Sequence, residues 1–548
     1  METYVKKFRM LAKLAICIRG VPRPGVTWSP DQVELKNTGN SYAPLAPSSD
    51  RNAMQRAFAQ LYVGRKLYTS TSEGCNTLHA KQRGAVSRCL RMQCVIFLLG
   101  NIPTLMKAMK EDSLVHELFL RWSQTNGPVF RVYALHRVMI LVTSPNAVKE
   151  ILMSPKSTKD LVYKKAFYLF GERFLGAGLV TDRDYEHWHK QRRVMDPAFS
   201  RTYLTGMMGT FNEKAEELME QLAGKADGKA EFAMHEMMNK VTLDVIAKVA
   251  FGMDLNSLHD DQTPFPQAIS TVMRGLAETR NPLAEYSPGK RGFIRSVRDS
   301  VRLLRQTGKE CIEKRQKAMQ DGEEIPMDIL SQILKGASFE KTCDMEILLD
   351  NFVTFFIAGQ ETTANQLSFA VMELARHPEI LERVQAEVDD VIGSKIDIGY
   401  EDLSKLDYLS QVLKETLRLY PSAPGTSRLL EQEMVIEGHR VPPNVTLVFN
   451  FYSFGRMEQF FNDPLKFDPE RFGPDAKRPY FTYLPFSLGP RSCIGQALSQ
   501  MEAKVVMAKL LQRFEFKLAE SQSFDIIDIG TLRPKDGVIC RLRPRANK

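Results

Sequence analysis

The sequence predicts a mainly α-helical fold with a minor β component, in one large domain that spans residues 94–548. Three observations predict it. From Cys94 onward, long amphipathic stretches with helical spacing are separated by short breaks. One of these stretches, Asp344–Arg376, is more than thirty residues long. Segments rich in β-branched and aromatic residues, which are typical of strands, are few and short.

The individual elements follow from the spacing of apolar residues. Phe130–Val142 alternates in part between apolar and polar residues and predicts a β-hairpin. Six segments are predicted to be helices: Asn212–Ala223, His235–Phe251, Asp344–Arg376, Pro378–Ile392, Tyr408–Leu419 and Gln496–Phe514. Residues 421–430 are predicted to form a loop. Short β segments follow it at Met434–Pro442 and Val445–Phe449.

Residues 1–93 form a basic segment that differs from the rest. They hold 15 Lys and Arg against 5 Asp and Glu, whereas residues 94–548 hold 59 against 60. Such an end indicates a solvated tail, a targeting segment or a surface that meets anionic lipid. The segment is predicted to be largely irregular, and no apolar run is long enough for a transmembrane helix. Nucleic-acid binding is not expected, because the body is neutral and carries no such motif.

The eight cysteines are scattered, so neither a zinc site nor a disulfide framework is predicted. Cys493 stands out by its surroundings, since it directly precedes a predicted helix whose dipole would favour a thiolate. Gly489 and Gly495 would let the backbone approach a flat ligand, and Arg491 could reach an anionic group at the edge of that ligand. The alternative is that Cys493 is a small buried hydrophobe, as a lone cysteine usually is.

The string PFSLGPRSCIG, residues 485–495, resembles the ligand loop of the cytochrome P450 family, F-x-x-G-x-R-x-C-x-G. The resemblance implies a single-domain fold in which haem b lies between the long helix and this loop, with Cys493 as the iron ligand. A thiolate ligand favours cleavage of the O–O bond. The resemblance covers residues 94–548, and its motifs appear in order.

The string AGQETT, residues 358–363, resembles the oxygen-activating element of the same family. Ala358 and Gly359 would leave room for dioxygen, and the Thr362 hydroxyl can bond back to the carbonyl of Ala358. Glu361 and Thr362 would then be an acid–alcohol pair that relays protons. The alternative is a surface glutamate beside threonines that a helix tolerates.

Further strings imply structural and cofactor-binding roles. Glu415 and Arg418 lie three apart on one helix face, and the resemblance makes Arg471, in FDPERF, the third member of a buried cluster. The family's W-x-x-x-R helix is matched at Trp188 and Arg192, which would donate to a haem propionate. The stretch after the Glu415 helix offers a further propionate-binding residue, Arg428.

Within the family, seven segments are similar to the cholesterol 24-hydroxylase subfamily of microsomal sterol hydroxylases: FGERF (170–174), WHKQRRV (188–194), FNEKAEEL (211–218), NFVTFFIAG (351–359), YLSQVLKETLRLYP (408–421), TYLPFSLG (482–489) and MAKLLQRFEF (507–516). The resemblance implies hydroxylation of a sterol, at the cholesterol side chain, with O₂ and electrons from NADPH through NADPH–cytochrome P450 reductase. Pro424 and Ser427 replace aromatic residues of the subfamily, which predicts a wider substrate pocket and leaves another sterol or lipid open.

The expected location is the endoplasmic reticulum membrane, with apolar loops in its cytosolic surface. The basic segment Met1–Gly20 leaves a second hypothesis open: a hydroxylase at the mitochondrial inner membrane that receives electrons from a ferredoxin. A third reading is a haem-binding protein without oxygenase activity. Glu361 and Thr362 argue against it, because a haem carrier needs no proton relay.

Overall fold

The computed structural model describes residues 100–545, apart from 111–113, 135–136, 156, 282–283 and 340–343. The predictions for residues 1–93 therefore lie outside the described residues. Within the described part of the chain, no helix is long and apolar enough to cross a membrane.

Helices dominate the described residues, as predicted. In chain order they are α1 (Ile102–Lys110), α2 (Val115–Asn126), α3 (Pro145–Met153), α4 (Lys164–Phe167), α5 (Tyr185–Met195), α6 (Arg201–Thr205), α7 (Met208–Ala223), α8 (Met234–Phe251), α9 (Phe265–Glu278), α10 (Arg291–Gln320), α11 (Ile329–Phe339), α12 (Met345–Arg376), α13 (Pro378–Val391), α14 (Tyr400–Lys405), α15 (Asp407–Leu419), α16 (Phe451–Phe454) and α17 (Gln496–Arg513).

The strands are short and form small sheets. They are β1 (Val129–Ala134), β2 (Arg137–Val142), β3 (Thr158–Lys159), β4 (Tyr168–Leu169), β5 (Glu172–Arg173), β6 (Phe232–Ala233), β7 (Gly425–Leu430), β8 (Met434–Ile436), β9 (His439–Val441), β10 (Val445–Asn450), β11 (Phe514–Leu518), β12 (Ile526–Asp528), β13 (Leu532–Pro534) and β14 (Ile539–Pro544). The largest sheet has the order β1-β2-β10-β7-β3. Its β10 and β2 are parallel, and its other pairs are antiparallel.

Helix α12 runs through the main hydrophobic core and packs against α8, α10, α15 and α17. Nearly every residue from Leu348 to Leu374 is buried, so this helix carries apolar side chains on all faces. Ala358, Gly359 and Thr362 are the exceptions. They mark one place on its surface where the packing is open.

All six predicted helices and the first hairpin are confirmed, with ends shifted by at most a few residues. No element was predicted between residues 252 and 343, where the structure has α9, α10 and α11. Helix α10 buries a narrow stripe at helical spacing, which includes Val297, Val301 and Leu304. The signal was therefore present among many charged residues.

The prediction of a loop at 421–430 is wrong for residues 425–430, which form β7. The composition PSAPGTS is typical of turns, but β7 lies between β10 and β3 and gains hydrogen bonds on both sides. Pairing with distant strands overrides the local preference.

A buried carboxylate fastens three segments to the start of α12. Asp350 is fully buried. It accepts hydrogen bonds from Arg173 Nη2 at 2.6 Å, from Arg305 Nη1 at 2.8 Å and from the Ala177 N–H at 2.8 Å. Its neighbour Glu346 contacts the same two arginines, with a side chain 54% exposed.

We predict that Asp350→Ala lowers the free energy of unfolding by about 3 kcal/mol, because it leaves two partly buried guanidinium groups without their main partner. Glu346→Ala is the matched control and should cost no more than about 0.5 kcal/mol, since exposed ion pairs contribute little. Urea denaturation of both variants measures the difference. Equal losses would contradict the assignment of Asp350 as the fastening group.

Candidate active site

Cys493 lies in a loop that ends at α17, with Gly495 at the N-cap. The Cys493 N–H donates to the Phe486 carbonyl at 2.9 Å, which closes the loop. Gly489 has φ +77°, and a Cβ there would lie 2.1 Å from the Leu152 carbonyl oxygen. The close approach of the loop to the end of α3 therefore requires a glycine here, whether or not a ligand also does.

The Cys493 side chain is accessible, in contrast to the buried Cys540. Neighbouring protein groups desolvate the sulfur and raise the pKa of the Cys493 thiol, whereas the Gly495 N–H and Arg192 lower it. A bound metal cation would supply the missing positive charge, because a coordinating thiol is deprotonated outright.

The accessible residues of α12 surround one hydroxyl. Thr362 Oγ1 donates to the carbonyl of Ala358 at 2.8 Å, the bond that the sequence indicated. Ser422 Oγ donates to the carbonyl of Thr362 at 2.8 Å and brings the segment before β7 to this place. Its neighbour Ala423 is exposed, whereas Pro424 and Ser427 are buried. The accessible side chains here are therefore small.

Gly359 has a packing role that the sequence did not show. A Cβ on this residue would lie 2.6 Å from two carbons of Ile246 on α8. The glycine therefore lets α8 and α12 approach closely, which accounts for a residue that costs about 1 kcal/mol in a helix interior.

Glu361 lies beside Thr362 in the chain but is held on another face of α12. Its side chain is buried, and Oε1 accepts a hydrogen bond from Thr531 Oγ1 at 3.0 Å. The two residues expected to act as an acid–alcohol pair thus lie on different faces of α12, and the carboxylate is bonded to the turn between β12 and β13.

Glu415, Arg418 and Arg471 come together in a buried cluster. Arg418 donates from Nε and Nη2 to the two carboxylate oxygens of Glu415, both at 2.7 Å. Arg471 Nε lies 3.3 Å from Glu415 Oε1, and the Asp468 N–H donates to the same oxygen at 2.8 Å. Arg418 also donates to the Pro464 carbonyl at 2.7 Å. The cluster joins α15 to the chain that leads towards the Cys493 loop.

A second group of charges, here called the cationic cluster, consists of Lys159, Tyr163, Arg428 and Arg491. The register of the large sheet places Lys159 opposite Arg428. Lys159 Nζ lies 4.2 Å from the centre of the Tyr163 ring. Within the described part of the chain, Nη2 of Arg428 and both Nε and Nη2 of Arg491 are buried without a hydrogen-bond partner.

The electrostatics of the cationic cluster reflect an excess of positive charge, which the Asp182 carboxylate partly offsets at Arg491. Burial, together with Arg428 and Arg491, lowers the pKa of Lys159 to about 8. Burial would raise the pKa of Tyr163, but Lys159 and Arg428 outweigh it and lower the value to about 8. Burial and Arg428 lower the pKa of Arg491 to about 10. These groups are arranged to receive an anion.

Trp188 and Arg192 lie one turn apart on α5, as expected, and each also contacts protein groups. Trp188 is buried, and the guanidinium of Arg491 stacks over its ring at 4.3 Å. Arg192 donates to the Ser492 carbonyl at 2.8 Å and to Asp196 at 2.5 Å. Arg192 is thus fixed to the residue before Cys493 and is also paired with a carboxylate one turn along the helix.

These residues fit haem b, a flat ligand with two carboxylates at one edge. The cationic cluster offers unpartnered buried N–H groups to such carboxylates. Cys493 offers an accessible sulfur, and α12 exposes a small-residue face.

Sequence reasoning missed Lys159 and Tyr163. A lysine four residues before a tyrosine carries no signal of its own, and only the pairing of β3 with β7 brings the two residues to Arg428.

Comparison with known proteins agrees with this geometry. The family model for "Cytochrome P450" matches residues 92–541. "Cytochrome P450 4d2" of Drosophila melanogaster is 27% identical over 470 residues, which cover 82% of this chain and 92% of that protein. "Probable cytochrome P450 4e1" of the same species is 30% identical, over 76% of this chain and 79% of that protein. "Cytochrome P450 3A41" of Mus musculus is 26% identical, over 72% and 82%.

None of these three relatives is named a cholesterol 24-hydroxylase, so the finer expectation from the sequence is not supported by them. The match to the family model extends over most of the chain and includes the Cys493 loop, the α12 motif and the Glu415 cluster. The chain belongs to the cytochrome P450 family of haem-thiolate monooxygenases.

Proposed function

We propose that this cytochrome P450 hydroxylates an unactivated C–H bond of a sterol, with the cholesterol side chain as the first candidate. The observation that carries the proposal is the small-residue face around Thr362. Ala358 and Ala423 are exposed there and carry only methyl side chains, which suits a bulky, rigid substrate. The seven segments similar to the sterol hydroxylase subfamily add support, and another lipid of similar bulk is the second candidate.

The proposed cofactor site assigns one task to each group. Cys493 would ligate the haem iron through its sulfur. Arg428, Arg491 and Lys159 would bind the propionates, whose charges would satisfy the unpartnered N–H groups of the two arginines. Trp188 supports the Arg491 guanidinium by stacking, and Arg192 fixes the loop beside Cys493 through the Ser492 carbonyl. When bound, the haem iron supplies the oxidation chemistry.

The proton-handling residues are Glu361 and Thr362. Thr362 keeps its hydroxyl beside the accessible face through its bond to Ala358. Glu361 is the nearest buried carboxyl along the helix and can exchange protons with Thr362 through water. The protein side of catalysis is therefore to hold the substrate against this face, exclude bulk water and move protons to it.

Enzymes of this family need a redox partner, and we propose NADPH–cytochrome P450 reductase. A groove of about 290 Å³ between α15 and α17 is lined by Arg201, Lys414 and Lys504, without any Asp or Glu. An acidic partner surface would complement it. The groove lies along the helix that follows Cys493, which suits electron delivery to the iron. A ferredoxin is the alternative donor, and it would accompany a mitochondrial location.

We further propose the cytosolic face of the endoplasmic reticulum membrane as the location, in keeping with a sterol substrate and this reductase. Apolar surface residues such as Met106 and Tyr286, which are 51% and 77% exposed, would contribute to contact with lipid.

Arg418→Ala should abolish haem incorporation, because it strands the fully buried Glu415 carboxylate in the cluster that supports the Cys493 side. The matched control is Arg383→Ala, which removes an exposed arginine bonded to Glu470 and should leave haem content unchanged. Haem per polypeptide, read from the absorption spectrum of the purified proteins, is the measurement. Normal haem content in Arg418→Ala would refute the structural role.

The spectrum of the reduced holoprotein with carbon monoxide tests the iron ligand. It should show the strongly red-shifted Soret band of thiolate ligation; a spectrum typical of histidine ligation would overturn the assignment of Cys493.

Turnover tests the substrate. Incubation with reductase, NADPH and either cholesterol or a linear fatty acid should add one oxygen atom to cholesterol, seen by mass spectrometry. Reaction of the fatty acid alone would overturn the sterol proposal while the family assignment stands.

A further inference from the structure

A chain of buried hydrogen bonds leads away from Glu361 on the side of α12 that faces α8. Thr531 donates to Glu361, and Asn365 Nδ2 donates to Thr531 Oγ1 at 3.3 Å. Asn365 Oδ1 accepts from His235 Nε2 at 2.8 Å. His235 Nδ1 accepts in turn from Asn239 Nδ2 at 2.9 Å. Three separate elements, α8, α12 and the turn between β12 and β13, contribute to this chain.

The hydrogen bonds in this chain all run in one direction. Each group donates towards Glu361 and accepts from the group behind it, which is the arrangement that polarises successive bonds and strengthens them. The arrangement requires a neutral imidazole with its proton on Nε2. Burial, with a smaller effect of Arg533, lowers the pKa of His235 to about 4, so that the ring is neutral at physiological pH.

The location of the chain separates it from the site described above. Glu361, Asn365, His235 and Thr531 are each at most 7% exposed. Glu361 and Asn365 lie four apart on one face of α12, whereas Ala358 and Thr362 lie four apart on another. No step of the proposed chemistry uses Thr531, Asn365 or His235.

The amides in the chain limit what it can do. A carboxamide moves a proton only through an unfavourable tautomer, so Asn365 and Asn239 make this a poor proton wire. These hydrogen bonds instead fix orientation. Asn365 orients the Thr531 hydroxyl, and this hydroxyl then holds the Glu361 carboxylate in one position.

We propose that Thr531 is a positioning residue that holds the Glu361 carboxylate ready for proton delivery, and that His235 and Asn365 orient the Thr531 hydroxyl for this task. The proposal rests on the proposed function, since it deepens the role given to Glu361. Without the hydroxyl, the carboxyl would sample other positions, and protons would reach Thr362 less efficiently.

The test compares Thr531→Val, which keeps the shape and removes the hydroxyl, with Thr531→Ser, which keeps the hydroxyl. Thr354→Val is the matched control, because Thr354 is a buried threonine of α12 whose hydroxyl, among the residues that the structure describes, donates to the Asp350 carbonyl of its own helix. Holoproteins are assayed with reductase, NADPH and cholesterol. In Thr531→Val, hydroxylated product per NADPH should fall about three- to tenfold, the range expected for one lost hydrogen bond. Thr531→Ser and Thr354→Val should stay within twofold of the wild type.

Two readouts separate positioning from a structural role. Turnover driven by cumene hydroperoxide, which requires neither NADPH nor dioxygen, should be unchanged in Thr531→Val. The infrared carboxyl band of Glu361, assigned by its loss in Glu361→Gln, should shift in Thr531→Val and remain in place in Thr354→Val. Asn365→Leu should shift the same band in the same direction.

The inference would be overturned if the Glu361 infrared band of Thr531→Val were unshifted. It would also be overturned if Thr531→Val and the wild type formed equal amounts of hydroxylated product per NADPH. Equal losses with NADPH and with cumene hydroperoxide would also overturn it, because they indicate general damage to the site. If cholesterol does not react at all, the proposed substrate fails, and the infrared comparison still decides whether Thr531 positions Glu361.

Discussion

An excess of positive charge at the edge of the large sheet is the constraint on which the site depends. Lys159 and Arg428 are buried, Arg491 is half-buried beside them, and none of the three forms an ion pair with a carboxylate in the described part of the chain. Like charges placed opposite each other in a sheet are destabilising. Strand register holds Lys159 opposite Arg428, so the protein chain alone carries an electrostatic cost that a bound dianion removes. Cofactor binding and folding are therefore coupled.

The rest of the site is built around the same ligand. The Cys493 loop is closed by its own backbone bonds, touches α3 at Gly489 and is tied to α5 by Arg192. The Glu415 cluster holds the chain that leads towards this loop through buried, charge-assisted hydrogen bonds. Between Leu348 and Leu374, α12 exposes only Ala358, Gly359 and the Thr362 side chain. Rigid supports on several sides are what keep a metal ligand and a proton donor at fixed positions.

Local strings predicted much of this site. Cys493, Thr362 and Glu415 were found because each lies in a short segment whose spacing is set by one loop or one helix. The sequence explained Gly359 and Gly489 by the ligand alone. The structure adds a second reason, because a side chain at these positions would clash with Ile246 and Leu152, which approach only in the folded protein.

Contacts between distant segments could not be predicted. Thr531 meets Glu361 across 170 residues of sequence, and Lys159 meets Arg428 through the pairing of two strands. For the same reason β7 was predicted as a loop, because its partners lie elsewhere in the chain. The helices were predictable because their apolar periodicity is local, and the missed helix α10 had that periodicity as well.

The central claim is that the cationic cluster exists to bind the carboxylates of the haem. Apoprotein titrated with haem b and with its dimethyl ester, in which both propionates are uncharged, tests it most directly. The account predicts that the diester binds about 100-fold more weakly, since two charge-assisted contacts of about 1.5 kcal/mol each are lost. Arg428→Met should weaken the binding of haem b but not of the diester, so that the difference between the two affinities becomes much smaller. Equal affinities of the wild-type protein for haem and its diester would contradict the account.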